Sequence, residues 1–393
     1  MESFYRTHAY LVEHLNAPVR RALMDEIDWS DRLIGIKGTR GVGKTTFLLQ
    51  YAKEHYGTDR SCLYINLNNF YFQQNGFADF AGEFHRRGGK VLLIDQVFKY
   101  ADWSRELRTC YERYPRLRIV FTGSSVMRLK EENPELNGIV TSYNLRGFSF
   151  REFLNLNTGN HFRSYSLEEI LNNHERIAKE ILSKVRPMDY FQSYLHHGFY
   201  PFHLEKRNFS ENLLKTMSMM IEVDILFIRQ IELKYLSKIK KLLYMLAIAG
   251  PGAPNVSKLA DEIQTSRATV MNYIKYLCDA RLINMVYNEG EEFPKKPAMV
   301  CMHNTTQMYA IYPQNFGDQD VIDTFFLNTM WKDHKMSIGH KGYTFLVDGS
   351  HKFRLCVNRM PKNKTKDDIL YVNQQMELGR ENQLPLWLFG FLY

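Results

Sequence analysis

One eight-residue run constrains this chain more than any other: Gly38-Thr39-Arg40-Gly41-Val42-Gly43-Lys44-Thr45. It follows the apolar segment Leu33-Ile34-Gly35-Ile36 and leads into Thr45 to Lys53, whose apolar residues have helical spacing. Strand, glycine-rich turn and helix in that order satisfy the P-loop pattern G-x-x-x-x-G-K-[ST] in both residues and context. Glycines let a backbone wrap an anion without Cβ clashes, so that several N–H groups point inward. The helix that opens at Lys44 aims the positive end of its dipole at the same place. Gly38, Thr39, Arg40, Gly41, Val42, Gly43, Lys44, Thr45 and Thr46 are therefore the candidate nucleotide-binding residues. Lys44 is expected to neutralise β/γ-phosphate oxygens, and the Thr45 hydroxyl to ligate Mg²⁺.

A second element supports the first. Val91-Leu92-Leu93-Ile94 is a buried-strand pattern that ends on Asp95, where a P-loop protein holds the Mg²⁺ shell. Thr45 and Asp95 are thus the candidate metal residues. Gln96 follows directly, at a position where hydrolytic P-loop proteins of this kind usually carry a glutamate that activates water. A glutamine amide has that shape but accepts no proton at neutral pH. Gln96 is therefore the candidate catalytic position and also the reason to expect slow hydrolysis. The sequence is compatible with a naturally slow site and with a substitution that traps a bound state. Ser124, at the end of Arg118-Ile119-Val120-Phe121-Thr122, is the other catalytic candidate. It is placed to sense a γ-phosphate or orient water, or simply to cap a helix.

The rest of the 393 residues sets the surroundings. Hydrophobic residues make up 45% and charged residues 24%, ordinary globular composition for two or three domains. No stretch reaches the roughly 18–20 apolar residues of a membrane helix. Met1-Glu2-Ser3 lacks the layout of a signal peptide. The five cysteines form no CxxC pair, so neither a disulfide framework nor a zinc site is indicated. A cytoplasmic protein with no membrane partner is the expectation. The net charge of +8 is concentrated between Lys332 and Lys366, where nine Lys/Arg face two Asp. That segment is either a solvated basic surface or a contact for nucleic acid or an acidic protein.

Apolar periodicity divides the chain. Short apolar runs at 33–36, 62–67, 91–95 and 118–122 read as buried parallel strands, with Ser3 to Ile27 helical and broken near Pro18. Residues 1–155 form an α/β nucleotide-binding domain. Residues 156–241 are helical and include Ser166-Leu-Glu-Glu169, a capping-box start. Residues 242–297 follow the turn-rich Ala249–Pro254 and read as helix, turn, helix and wing, with Val256, Leu259 and Ile263 on one face and Val270, Ile274 and Leu277 on the next. Residues 298–393 mix strands and helices and close on Leu384 to Tyr393, read as a buried strand or an interfacial anchor.

With Gly38–Thr46, Leu93-Ile94-Asp95, Ile119–Ser125 and Arg146-Gly-Phe-Ser-Phe-Arg-Glu-Phe153 in view, the chain resembles prokaryotic AAA+-type P-loop ATPases that carry a C-terminal, distantly restriction-nuclease-like domain of unknown function. Tyr194–Gly198, Pro201 and the closing Leu384–Tyr393 extend the resemblance over almost the whole chain. It implies an α/β fold: an AAA+-type parallel-sheet domain, a helical lid, a winged helix and a C-terminal α/β domain. It also implies ATP and Mg²⁺ as ligands. Three departures point one way. Gln96 replaces a glutamate, Leu136-Asn-Gly-Ile139 stands where relatives often carry an arginine, and Arg354 stands where the C-terminal domain of relatives carries an acid. Asp348 among lysines is a poor metal site, so no nuclease activity is expected. The leading expectation is an ATP-binding protein with weak hydrolysis whose ATP or ADP state sets its domain arrangement. The alternatives are a DNA-binding regulator presenting Arg267, Asn272 and Lys275, and an inactive scaffold using the basic segment.

Overall fold

A computed structural model describes residues 1–129, 131–205, 208–313, 316–340, 342–357 and 368–393. The fold is mixed α/β, in two compact units, Met1–Gly147 and Phe148–Tyr393.

The first unit is built on a five-stranded sheet: β1 (Leu33–Gly38), β2 (Cys62–Asn66), β3 (Val91–Asp95), β4 (Arg118–Ser124) and β5 (Thr141–Asn144). Their order is β2-β3-β4-β1-β5, and every pairing is parallel. Helices Lys44–His55, Phe77–Arg86 and Trp103–Arg113 connect the first four strands in turn. Strands covered on both faces need continuous apolar runs, and β3 is buried from Val91 to Asp95. Where β1 meets β4, Gly35 makes the room: a Cβ there would sit 2.8 Å from both Leu129 Cδ1 and Phe121 Cζ. Register brings Gly38 opposite Ser124 and Asn66 opposite Asp95. The polar ends of β1, β3 and β4 therefore share the C-terminal edge of the sheet, the usual ligand edge of parallel sheets.

One expectation is corrected in its extent, and one strand carried no sequence signal. The expected break near Pro18 is present in the helical stretch from Ser3 to Ile27, but the helical parts are shorter, Glu2–Glu13 and the single turn Leu23–Glu26. Pro18 lacks the N–H that a continuing helix needs. Strand β5 was not legible as a strand, because Thr-Ser-Tyr-Asn at a sheet edge is half exposed and has no apolar run.

In the second unit, Ser166 starts the helix Leu167–Leu182 through the expected capping box with Glu169. The motif at 146–153 contains another: Ser149 and Glu152 cap the helix Phe150–Thr158 reciprocally. Helices Val256–Glu262 and Arg267–Asp279 lie where the apolar faces place them. Strands β6 (Ile283–Val286) and β7 (Met299–Met302) pair antiparallel after them. The C-terminal sheet contains β8 (Met336–Ile338), β9 (Phe345–Val347), β10 (His351–Cys356), β11 (Ile369–Asn373) and β12 (Gln383–Pro385), in sequential order. The closing segment is a correction to the expected strand. It pairs only over Gln383–Pro385 and then turns through a 3₁₀ helix, Leu386–Phe391. Residues 384–393 are all buried, and a run buried on every side carries no periodicity to separate strand from helix.

Of the basic segment, Lys341, Arg359, Lys362, Lys364 and Lys366 lie outside the described residues. Lys352 pairs with Asp368 at 2.7 Å and Lys332 with Asp333 at 3.5 Å. Asp348 accepts from His334 Nδ1 (2.7 Å) and Lys335 N (2.8 Å). No helix among the described residues is long and apolar enough to cross a membrane.

Asp323, buried in the helix Asp318–Met330, has a carboxyl pushed up to about 7, chiefly by burial and further by Asp320, with the Gln319 amide opposing. The unfolded chain ionises Asp323 first, so its contribution to stability falls as pH rises from about 4 to 7. Asp323→Asn should therefore be more stable than the parent at pH 8 by on the order of 4 kcal/mol and nearly equal at pH 4. Urea unfolding at the two pH values checks this; an equal difference at both would contradict it.

Candidate nucleotide-binding site

The glycine loop leaves β1 at Gly38 and enters the helix Lys44–His55 at Gly43. Gly41 and Gly43 hold φ of +84° and +91°, a region that L side chains enter only with strain. A Cβ on Gly38 would lie 2.5 Å from the Leu145 carbonyl oxygen, so the loop rests directly on the backbone that follows β5. Val42 is fully buried and anchors the loop from below. Lys44 Nζ donates to Gly38 O (2.8 Å) and Thr39 O (2.9 Å). The ammonium thus bends back over the loop, toward the place where an anionic oxygen would replace carbonyl partners. Thr46 is exposed on the first turn of the helix, and Arg40 is half-buried in the loop.

Asp95 gathers the rest of the site. It is 2% exposed, and its carboxylate accepts four hydrogen bonds. Thr45 Oγ1 (2.6 Å) and the Tyr64 hydroxyl (3.0 Å) donate to Oδ2. Thr122 Oγ1 and Gln96 N (3.1 Å) donate to Oδ1. The Gln96 N–H also reaches Thr122 Oγ1 at 3.0 Å. Burial, with the Asp95 charge beside it, holds the Tyr64 phenol well above its usual pKa, so the hydroxyl remains a donor. A carboxylate with this many donors is held in one orientation.

The predicted residues therefore meet. Thr45 and Asp95 are in direct contact, and both stand at the sheet edge that bears the loop. Thr45 uses its single proton on Asp95, which leaves its oxygen lone pairs for a cation. Hydroxyl and carboxylate oxygens are the hard donors that suit Mg²⁺, which otherwise keeps water and phosphate oxygens. Gln96 adopts a left-handed backbone, φ +56° and ψ +46°, a conformation of about 1–2 kcal/mol of strain for a residue other than glycine. Ser124 is buried, and its Oγ accepts from Val126 N at 3.3 Å, a turn-forming bond at the end of β4.

Thr122, Tyr64 and Arg21 are the site residues that sequence reasoning missed. Thr122 had a signal, a hydroxyl ending an apolar strand in the same cluster as Ser124. Tyr64 lies inside an apolar run and reads as core. Arg21 lies in a stretch read as helical.

Comparison with known proteins agrees with this geometry. Residues 30–154 match the AAA domain family, and residues 188–299 match a domain of unknown function, DUF8612. An uncharacterized protein of Methanocaldococcus jannaschii is 28% identical over 273 residues, 66% of this chain and 57% of that protein. A second uncharacterized protein of the same organism is 24% identical over 271 residues, 64% of this chain and 56% of its own. The match thus spans little more than half the length of these relatives. Among solved structures, RuvB of Thermotoga maritima aligns over 73% of this chain and 89% of its own, at 16% identity. Its TM-score of 0.27 is too low to inform the reading of either unit. The segment that matches the AAA domain family contains the glycine loop, Lys44, Thr45 and Asp95, and the match supports nucleotide binding.

Thr122→Val keeps the β-branched shape that suits β4 and removes one donor from a buried carboxylate. It should lower unfolding free energy by about 1.5–3 kcal/mol. Denaturant unfolding at pH 7 measures it, and a neutral result would show that Asp95 does not depend on that bond.

Proposed function

We propose that this chain binds ATP with Mg²⁺ in the glycine loop, hydrolyses it slowly, and uses ATP against ADP to set its domain arrangement. The observation that carries the reading is the contact between Thr45 and Asp95 beneath the loop, because it joins the two halves of a Mg-nucleotide site 50 residues apart. In this reading the loop N–H groups and Lys44 hold the phosphates, and Thr45 and Asp95 hold the ion and its waters. The ion would offset charge on the phosphates. Gln96 and Ser124 stand nearest to the chemistry: Gln96 can orient a water but not deprotonate it, and Ser124 can report on the γ-phosphate. The stretch Leu136–Ile139 brings no arginine, so charge developing on the leaving phosphate has weaker support. The division at 155, 241 and 297, and the degenerate nuclease-like character of residues 298–393, belong to the same proposal.

The second reading is a DNA-binding regulator working through a winged helix at 242–297. One observation weakens it. Lys275, one of the three side chains assigned to that surface, is paired with Asp279, which Arg229 also reaches at 3.4 Å. Arg267 and Asn272 are exposed.

Calorimetry with Mg-ATP should show saturable binding by the parent chain and none by Lys44→Ala; equal heats from both would refute the reading. Gln96→Glu should raise steady-state hydrolysis by about 10²-fold or more, since it restores a general base. An unchanged rate would move the defect to the missing arginine.

A further inference from the structure

The structure assigns Arg21 as a positioning residue of the phosphate loop, one that sets the direction of the Gly43 N–H and ties it to the backbone at Arg146–Gly147. The inference rests on the nucleotide reading above and deepens it.

Arg21 belongs to the irregular stretch between the first helix and the turn at Leu23–Glu26, and it is 7% exposed. Its guanidinium donates from Nη1 to the Val42 carbonyl (3.0 Å), and from Nη2 to the carbonyls of Arg146 (2.6 Å) and Gly147 (3.0 Å). A buried cation needs such acceptors, and a rigid planar fork with five N–H groups can span two backbone segments where a lysine ammonium cannot hold the same geometry.

The Val42 carbonyl is the informative partner. It shares a peptide plane with the Gly43 N–H, and in a trans peptide the two point in opposite directions. Holding the carbonyl therefore aims the Gly43 N–H directly away from Arg21. The Gly43 carbonyl is fixed independently, because it accepts from Phe47 N at 2.9 Å in the first helical turn. The φ of +91° at Gly43 supplies the bend between these two planes. A cation on the carbonyl oxygen also draws electron density from the peptide, so the N–H becomes a better donor to an anion.

The other two carbonyls give the clamp its second end. Arg146 and Gly147 are the last residues of the first unit. The preceding residue, Leu145, donates its N–H to Lys37 O at 2.7 Å and places its carbonyl under Gly38. Both ends of the loop are thus tied to 145–147, one by backbone contact and one by Arg21. A phosphate that tightens on Gly43 must pull on the same guanidinium that holds 146 and 147.

The test uses the full chain with Mg-ADP as the probe. Calorimetry on the parent, Lys44→Ala, Arg21→Ala and Arg21→Lys is paired with residue-resolved hydrogen exchange. Both Arg21 variants should bind Mg-ADP about tenfold or more weakly, the scale of one hydrogen bond to a charged group. In the parent, Mg-ADP should slow exchange at Gly43 and change it at 145–147. In the variants, saturated with Mg-ADP, both responses should shrink while the central strands β1, β3 and β4 keep their protection. A merely structural arginine would lower protection across the sheet and leave the ligand response at Gly43 intact. If Arg21→Ala fails to fold, Arg21→Lys, which keeps the charge, is the variant that decides. Unchanged affinity and unchanged Gly43 protection in a folded variant overturn the inference and leave the nucleotide reading standing. A parent chain that binds no Mg-ADP overturns the nucleotide reading and this inference with it.

Discussion

The arrangement at the sheet edge depends on the burial of one carboxylate. A charge taken out of water must be met by hydrogen bonds, or it takes up a proton or disrupts the fold. Asp95 is met by a helix residue, Thr45, a neighbouring-strand residue, Tyr64, another strand residue, Thr122, and the backbone of Gln96. Each donor comes from a different segment, so satisfying the charge also sets the segments in register. The strained backbone at Gln96 adjoins this network: its N–H faces the carboxylate beside it, and the left-handed turn redirects the chain just past that bond. What looks like a stability problem is therefore also the device that keeps Thr45 oriented.

The loop is organised by the opposite logic. Three of its residues, Gly38, Gly41 and Gly43, are glycines, and the donors it offers an anion come largely from peptide planes. Such a loop has no core of its own and must borrow stiffness. Val42 inserts below, Lys44 folds across the top, Leu145 lies under Gly38, and Arg21 fastens the Val42 carbonyl. Preorganisation of this kind reduces the ordering that a ligand would otherwise have to drive.

Much of the first unit was legible because its physics is local. Buried strands announce themselves as apolar runs, and the glycine loop has residue types that no other backbone demands at that spacing. The contact between Thr45 and Asp95 was foreseeable because both positions have fixed offsets from strand ends. Tyr64 and Arg21 were not, since their partners lie 21 residues and more away in sequence and nothing in their own neighbourhoods differs from core or helix. β5 was invisible for a related reason: an edge strand of polar residues is defined by its partner β1, not by its own pattern. Leu384 to Tyr393 shows the reverse failure. Its apolar character was plain, but Trp387, Phe389 and Phe391 are all fully buried, and only tertiary packing decides how such a run winds.

The seat of Gly38 on the Leu145 carbonyl also bears on how the chain can be cut and rejoined. A new terminus, tag or fusion junction between 145 and 147 would remove the floor of the loop and the far end of the arginine bridge together. The turns at Gly57 and Gly88 are different: a Cβ there would meet nothing within 4 Å. Insertions at those turns would leave the phosphate cup's supports unbroken, which makes them the natural places to attach a reporter to this domain.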